Sequence, residues 1–186
     1  MSPRSYAAGM ISPQRTFLIR PIRPDEYEAL AELTVAAYRA IPFVMPHQDV
    51  YDIQLRDVAR RAETSCVLVD VGPEGELLGG VTYVSGPEDP YSEELAEGEA
   101  GMRMLAVDPL RHGHGIGRTL TQACLERARA AGRTRLVLHT GAWMPGAIAL
   151  YEKMGFVRRP EIDFAPAPGI DLLAYSFDLT VRLPEA

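Results

Sequence analysis

Apolar and polar positions alternate along this chain with two periods. A period of about two residues indicates strands, and a period of about 3.6 residues indicates helices. The pattern predicts strands at 15–22, 65–71, 77–84, 99–107, 135–140, 156–159 and 172–179. It predicts helices at 25–39, 49–63, 119–131 and 145–154. Because a helix joins 99–107 to 135–140, those two strands should be parallel. The glycine-rich turn at 72–75 makes its flanking strands an antiparallel hairpin, so we expect an α/β fold with a mixed sheet.

The stretch at 103–128 has the most distinctive pattern. Its apolar strand ends at Asp108, because the next residue is proline and cannot donate to a sheet ladder. Three alternate positions are then glycine (Gly113, Gly115 and Gly117), and a helix with apolar residues every four positions follows. Glycine leaves no Cβ between backbone amides and a ligand, and the first turn of a helix presents unpaired N–H groups. The sequence therefore predicts a phosphate or pyrophosphate site here.

Two common nucleotide loops do not fit this stretch. A Walker loop has lysine and then serine or threonine after its last glycine, whereas Gly117 is followed by Arg118 and Thr119. A dinucleotide loop has the spacing GxGxxG after the first strand of a βαβ unit, and the next strand ends in an acidic residue. Here the spacing is GxGxG, late in the chain, and the strand at 135–140 ends in His-Thr. Both interpretations are therefore disfavoured.

The run LAVDPLRHGHGIGRTL resembles the acyl-CoA loop of the GNAT superfamily of N-acetyltransferases. That loop has Gln or Arg, two residues, Gly, one residue, and Gly or Ala at a helix start, and the matching positions are His112, Gly115 and Gly117. The segment AIALYEKMGF resembles the second signature of the same superfamily, L-Y-x-K-x-G-F. The resemblance implies one mixed α/β domain at 15–180, with about six to seven strands and about four helices. We expect a disordered segment at 1–14 and a tail at 181–186.

The resemblance also implies acetyl-CoA as the acyl donor. Its diphosphate would be held by main-chain N–H groups of the loop, and its pantetheine amides would pair with the central strand. The strand positions would be Leu105, Ala106 and Val107. The loop positions would be His112, Gly113, His114, Gly115, Ile116, Gly117, Arg118 and Thr119. The chain departs from the superfamily at His112, which replaces Gln or Arg, and at Met144, where asparagine is frequent.

The resemblance assigns Tyr151 as the general acid. It matches the tyrosine whose hydroxyl lies near the CoA sulfur in the superfamily, and a phenol can donate a proton to a thiolate. An alkyl amine with a pKa near 10.4 is neutral in only about one molecule in two thousand at pH 7, so a base is expected. Glu99 is the predicted base, although the superfamily's commonest position falls on Gly101. The alternatives that stay open are Asp163, Glu161 and His139.

Acceptor choice is expected in the least patterned segments, 40–51 and 160–170. The first carries Phe43, Met45, His47 and Tyr51, which suit a hydrophobic lid or an acceptor wall. Six carboxylates between 88 and 99 have no basic residue among them, which is typical of a solvated loop or of a surface that attracts a cationic amine. We expect acetyl transfer to a primary amine on a small molecule, lysine or N-terminus. The alternative is a CoA-binding sensor or interaction module with weak or lost turnover.

Composition narrows the function classes. The chain has 186 residues, 47% of them hydrophobic and 24% charged, which suits one soluble domain. Its net charge of −6 disfavours a nucleic-acid partner. No apolar run is long enough for a membrane, and 1–14 lacks the core of a secretory signal, so a cytoplasmic protein is expected. No metal-ligand spacing accompanies the histidines, and we expect no metal. Dimers are common in the resembled superfamily, which makes a homodimer a further candidate.

Overall fold

A mixed sheet runs through the structure, a computed structural model that describes residues 18–43 and 48–181. In these ranges the strands are β1 (Leu18–Pro21), β2 (Cys66–Val71), β3 (Leu77–Val84), β4 (Glu99–Val107), β5 (Arg135–Gly141), β6 (Val157–Arg158), β7 (Phe164–Ala167) and β8 (Ile170–Asp178). The helices are α1 (Tyr27–Arg39), α2 (Gln48–Arg56), α3 (Val58–Thr64), α4 (Ile116–Ala130) and α5 (Pro145–Lys153). The expected mixed α/β fold is confirmed, with one more strand and one more helix than the upper expectation.

The sheet has the order β1-β2-β3-β4-β5-β8-β6, and β7 also pairs with β8. Among the described strands, only β4 and β5 are parallel neighbours, as the helix between them predicts. Their pairing runs from Glu99 with Arg135 to Gly101 with Val137. Beyond that point β4 bulges against β3, and Met104 has a φ of 52°. Because a bulge bends its strand, the sheet opens between β4 and β5.

The helices cover both faces of the sheet. The apolar positions of α4 that repeat every four residues are all buried: Ile116, Leu120, Cys124 and Ala128. They pack on Leu136 and Leu138 of β5 in the larger core cluster. On the other face, Leu30 of α1 and Val58 of α3 pack on Val67 of β2. Burying a side chain of this size contributes roughly 1.5–3 kcal/mol. This packing fixes the α4 N-terminus at the end of β4.

Two elements differ from the prediction. The predicted helix at 49–63 is divided at Asp57, whose ψ is 60° and whose carboxylate accepts a hydrogen bond from Arg60 N at 3.3 Å. Aspartate is favoured at an N-cap, so it begins α3 although the apolar period continues through it. The predicted loop at 160–170 contains β7, which turns into β8 at Gly169 with a φ of 81°. The prolines of that segment argue against a strand, which is why the sequence predicts a loop there.

Parts of the predicted domain division lie outside the described residues. The segment at 1–14 and all of the 181–186 tail except Val181 fall there, so the domain bounds of 15 and 180 stay predictions. Between residues 18 and 181, leaving out 44–47, no helix combines the length and the apolar character needed to cross a membrane.

Candidate functional site

The glycine loop joins the end of β4 to the start of α4. Asp108 turns the chain, and its carboxylate accepts a hydrogen bond from Leu110 N at 2.9 Å. Gly115, the N-cap of α4, has a φ of 82°, a backbone region that glycine adopts without strain. Since glycine has no side chain with which to cap a helix, it leaves the first-turn N–H groups available to a ligand. The residues at 111–115 are exposed, as an anion site requires.

The loop packs closely against its neighbours. A Cβ on Gly117 would lie 3.3 Å from Leu150 Cδ2, so glycine here lets α4 approach α5. Nδ1 of His114 lies 3.0 Å from both Arg111 O and His112 O, which folds the ring back onto the loop. The imidazole therefore stabilises the loop conformation.

The other predicted loop residues differ in their surroundings. Ile116 is 1% exposed and packs in the core, so only its backbone can contact a ligand. Thr119 Oγ1 donates to Gly115 O at 3.0 Å. Gly113 has a φ of 81°. Arg118 is exposed in the first turn, where a guanidinium can pair with phosphate.

A narrow cavity of about 40 Å³ lies where β4 and β5 separate. Its lining comes from α1, β4, β5, α5 and the residue before α5: Tyr38, Met102, Arg103, Met104, Leu105, Leu138, His139, Thr140, Met144 and Tyr151. Of the predicted pantetheine-binding positions, Leu105 is in this lining, Val107 is half-buried and Ala106 is buried. The predicted backbone segment thus borders the opening in the sheet.

Tyr151 reaches the narrow cavity from α5. It is 5% exposed, and its ring centroid lies 5.7 Å from that of Phe156. Burial raises the pKa of the Tyr151 hydroxyl well above its ordinary value, with a further contribution from Cys124. The phenol therefore keeps its proton at neutral pH. A protonated phenol in the wall of the opening has the state that a general acid needs.

A larger cleft of about 640 Å³ adjoins the opening and shares Tyr38, Met104 and His139 with the narrow cavity. Helices α1 and α2, strands β4 and β5, and the β7–β8 hairpin all contribute to its wall. Phe43 stacks on Trp143 with centroids 4.0 Å apart and planes 10° apart, which joins the segment after α1 to the start of α5. Tyr51 lines the cleft as expected, whereas the predicted Met45 and His47 lie outside the described residues.

A carboxylate and two basic side chains meet in the cleft wall. Glu93 has a φ of 51°, and its Oε2 lies 2.7 Å from Arg103 Nε and 3.3 Å from His139 Nδ1. Neither nitrogen has the angle of a hydrogen bond, so these are close polar contacts. Burial raises the pKa of Glu93, but His139 and Arg103 together lower it by more, and the net pKa lies below its ordinary value. Glu93 is therefore ionised at neutral pH.

Arg103 is the buried cation of this cluster, with 7% of its side chain exposed. Its terminal nitrogens donate at 2.9–3.2 Å to the carbonyls of Ser92, Met102 and Val137. With these acceptors and Glu93 around it, the guanidinium is already committed within the protein.

Residues 27–156 match the model of the acetyltransferase (GNAT) family. The chain therefore belongs to the GNAT acetyltransferase family. It is 35% identical over 108 residues to a mycothiol acetyltransferase of Salinispora tropica, in a match that covers 58% of this chain and 34% of that protein. The chain thus spans about a third of the length of that relative.

Solved structures have the same fold as this GNAT chain. An acetyltransferase of the GNAT family from Staphylococcus aureus has a TM-score of 0.69 at 14% identity, over 89% of this chain and 100% of that one. A structure from Salmonella typhimurium with its cofactor acetyl-CoA has a TM-score of 0.61 at 18% identity, over 92% and 98% of the two chains. At these identities the likeness concerns the fold alone.

Glu99, the base predicted for this GNAT chain, does not belong to the lining of either cavity. It is 2% exposed, with Oε1 at 2.5 Å from an Arg159 nitrogen and at 3.8 Å from Arg135. Its Oε2 accepts a hydrogen bond from Ala96 N at 3.0 Å. The carboxylate is thus held by an ion pair at the start of β4, and its role as the base stays a prediction.

The alternative bases have different surroundings. His139 is in the lining of both cavities; its Nε2 lies 3.0 Å from Ile162 O, and its Nδ1 faces Glu93. Glu161 and Asp163 pair with neighbouring arginines and are absent from both linings. Of these alternatives, His139 is the one that borders the cleft.

Glu93 was not among the residues predicted for the site. It is one of six carboxylates in an acidic loop and, like its neighbour Glu94, it is exposed. Its partners lie on β4 and β5, so only the fold brings the three groups together. One signal was available, because an arginine such as Arg103 inside an apolar strand needs a buried partner.

Proposed function

We propose that this protein transfers the acetyl group of acetyl-CoA to a primary amine. One observation carries the proposal: the start of α4, the opening between β4 and β5, and the Tyr151 phenol adjoin one another. A Cβ on Gly117 would contact Val107, Leu105 and the residue before Tyr151, so the loop reaches the opening directly. Family membership supports the same activity.

The residues present fit acetyl-CoA. A diphosphate needs donors that no side chain obstructs, and the exposed glycine loop ahead of α4 provides them. The backbone at Leu105, beside the opening, can pair with amide groups of an extended ligand. When bound, acetyl-CoA supplies an activated thioester.

The chain's own residues would position the amine, remove its proton and protonate the departing thiolate. Tyr151 holds a proton for the departing thiolate, because burial keeps its phenol neutral. The amine must be neutral to attack, and a nearby carboxylate or imidazole assists its deprotonation. Glu99 remains the base predicted from sequence, and His139 is the alternative beside the cleft. A homodimer and a cytoplasmic location stay predictions.

Thiol release from acetyl-CoA tests the proposal. The full chain is incubated with acetyl-CoA and a panel of alkyl, aromatic, polyamine, amino-acid and lysine-peptide amines, and each product is identified by mass spectrometry. We expect amine-dependent thiol release and an N-acetylated product for at least one amine. The no-amine reaction measures background hydrolysis.

Binding without turnover would overturn the proposal. Calorimetry that detects acetyl-CoA binding, together with no thiol release for any amine, would favour the CoA-binding sensor. The buried Glu99–Arg159 pair is the observation that keeps this alternative open, because it holds the predicted base away from the cleft.

A further inference from the structure

The large cleft has a mainly apolar and aromatic wall. Its aromatic members come from five separate segments: Tyr38, Tyr51, Tyr91, Trp143 and Phe164. Aliphatic residues such as Val50, Ile170 and Leu172 fill the spaces between them. Such a wall favours a ligand with a large apolar group, because burying apolar surface stabilises the complex by roughly 25 cal/mol per Å².

Glu93 is one of two carboxylates in the cleft lining, the other being Asp57. Its close contacts with Arg103 and His139 are made by Oε2, and 36% of its side chain is exposed. An ionised carboxylate that is partly exposed in a cleft wall is a natural acceptor for an ammonium or amine N–H.

The remaining charges make other acceptors less favourable. A free amino acid needs a cation for its carboxylate. Arg103 is committed to three carbonyls and Glu93, which leaves Arg60, an exposed residue of α3 in the lining. A polyamine needs several carboxylates, and the second carboxylate of the lining, Asp57, accepts a hydrogen bond from Arg60 N as the N-cap of α3. A single amine on an apolar body needs only Glu93 and the apolar wall.

We propose that the acceptor is a primary amine on an apolar, preferably aromatic body, with its nitrogen received by Glu93 and its body packed against Tyr51, Trp143 and Phe164. This inference rests on the proposed acetyl transfer and names its substrate class. Glu93 acts here as a binding residue.

The bound ammonium first releases one proton to solvent while Glu93 accepts a hydrogen bond from the nitrogen. The nitrogen lone pair then forms the C–N bond, and the electrons of the C–S bond leave with sulfur. Tyr151 protonates the thiolate, the nitrogen loses its second proton, and a proton from water restores the phenol. The net products are an amide, the free thiol and one proton.

Acceptor ranking in the unmodified protein tests the inference. The probes are 2-phenylethylamine, n-propylamine, spermidine and phenylalanine, each with saturating acetyl-CoA. We expect kcat/KM for 2-phenylethylamine to exceed that for n-propylamine by at least about tenfold, because only the former fills the apolar wall. A preference for spermidine or phenylalanine would overturn the acceptor class and leave acetyl transfer intact. Failure of every amine would overturn both.

Glu93→Gln tests the carboxylate, and Glu94→Gln is its matched control. The first removes a charge in the cleft wall, and the second removes an exposed charge beside it. We expect Glu93→Gln to raise KM for 2-phenylethylamine about tenfold and to leave KM for acetyl-CoA unchanged. Equal effects of the two changes would assign amine attraction to the loop as a whole and overturn the role of Glu93. Should thermal melting show that Glu93→Gln does not fold, the acceptor ranking decides alone.

Discussion

The proposed cofactor side and the proposed acceptor side of this site are built differently. The cofactor side, as proposed, consists of the glycine loop at 112–119, the adjoining end of β4 and Tyr151. Apart from the tyrosine it is one continuous stretch, and it offers mainly backbone groups. The acceptor side is the cleft around Glu93, whose wall comes from helices, loops and a hairpin far apart in sequence. If the two assignments hold, cofactor binding depends on local conformation, whereas acceptor choice depends on how remote side chains pack.

Tyr151→Phe should have the largest effect. It removes the hydroxyl from the cofactor side and keeps the ring that packs on Phe156. We expect kcat to fall by about 100-fold with little change in KM for either substrate, because the thiolate then leaves without an acid. Tyr83→Phe is the control, since this buried tyrosine lies outside both cavities and its hydroxyl has no hydrogen-bond partner in the described part of the chain. A Tyr151→Phe protein that keeps its kcat would contradict the assignment.

Arg159→Met tests whether Glu99 is mainly structural. Without Arg159, the cation that remains near the buried Glu99 in the described part of the chain is Arg135 at 3.8 Å, so the free energy of unfolding should fall by roughly 2 kcal/mol. Urea denaturation measures the change. In the control, Arg56→Met removes an exposed pair with Glu32, and we expect a much smaller loss because solvent screens that pair. Similar losses for both changes would mean that the Glu99 pair is not needed for the fold and would strengthen Glu99 as a base.

Gly115→Ala tests the backbone character of the cofactor side. An alanine at a φ of 82° is strained by about 1–2 kcal/mol, so the loop should move away from its binding conformation. We expect the Kd for acetyl-CoA, measured by calorimetry, to rise about tenfold. Gly146→Ala is the control, because open space surrounds the position of its Cβ and its φ is not positive. Unchanged affinity in Gly115→Ala would show that the loop conformation does not determine binding.

Low pH should destabilise the attachment of α1 to β1, and α1 contributes Tyr38 to the cleft. Glu26 and Arg20 form a bidentate pair at 2.5 and 2.8 Å, which joins β1 to the helix that carries Tyr38. The Arg20 hydrogen bonds lower the pKa of Glu26 to about 2, although burial opposes them. Because the folded-state pKa is below the unfolded value, this stabilisation is present at neutral pH and is lost as the pH falls from about 4.5 to about 2.

Glu26→Gln should therefore flatten part of the decline in unfolding free energy over that pH range. Glu28→Gln, at an exposed position of the same helix, should leave the decline unchanged. Parallel pH profiles for the wild type and Glu26→Gln would contradict the assignment. This is the smallest of the expected effects.

The fold and the position of the glycine loop before α4 could be predicted because their signals are short-range. The glycine spacing, the four-residue repeat of α4 and the tyrosine signature each lie within one segment. Helix α3 could not be separated from α2, because the cap at Asp57 interrupts the backbone and not the apolar period. Strand β7 could not be predicted, because it contains a proline and proline argues against a strand.

The arrangement of the cleft around Glu93 could not be predicted because its contacts depend on tertiary distances. Glu93 meets Arg103 and His139 only after β4 and β5 have paired, and nothing in the acidic run distinguishes it from Glu94. Glu99 meets Arg159 from sixty positions away, so the sequence could not show that its carboxylate would be neutralised. Period-two alternation correctly gives the face of a side chain but not its partner.

The parallel pairing of β4 with β5 consists of three residue pairs, and it alone joins β1–β4 to β5–β8 within the sheet. An extended ligand whose own amides lie in the gap beyond Gly101 would lengthen that junction. Acetyl-CoA would then be a structural member of the sheet as well as a reactant. By mass action, the melting temperature should rise with the logarithm of its concentration, and the lifetime of the folded protein would follow the supply of acyl donor.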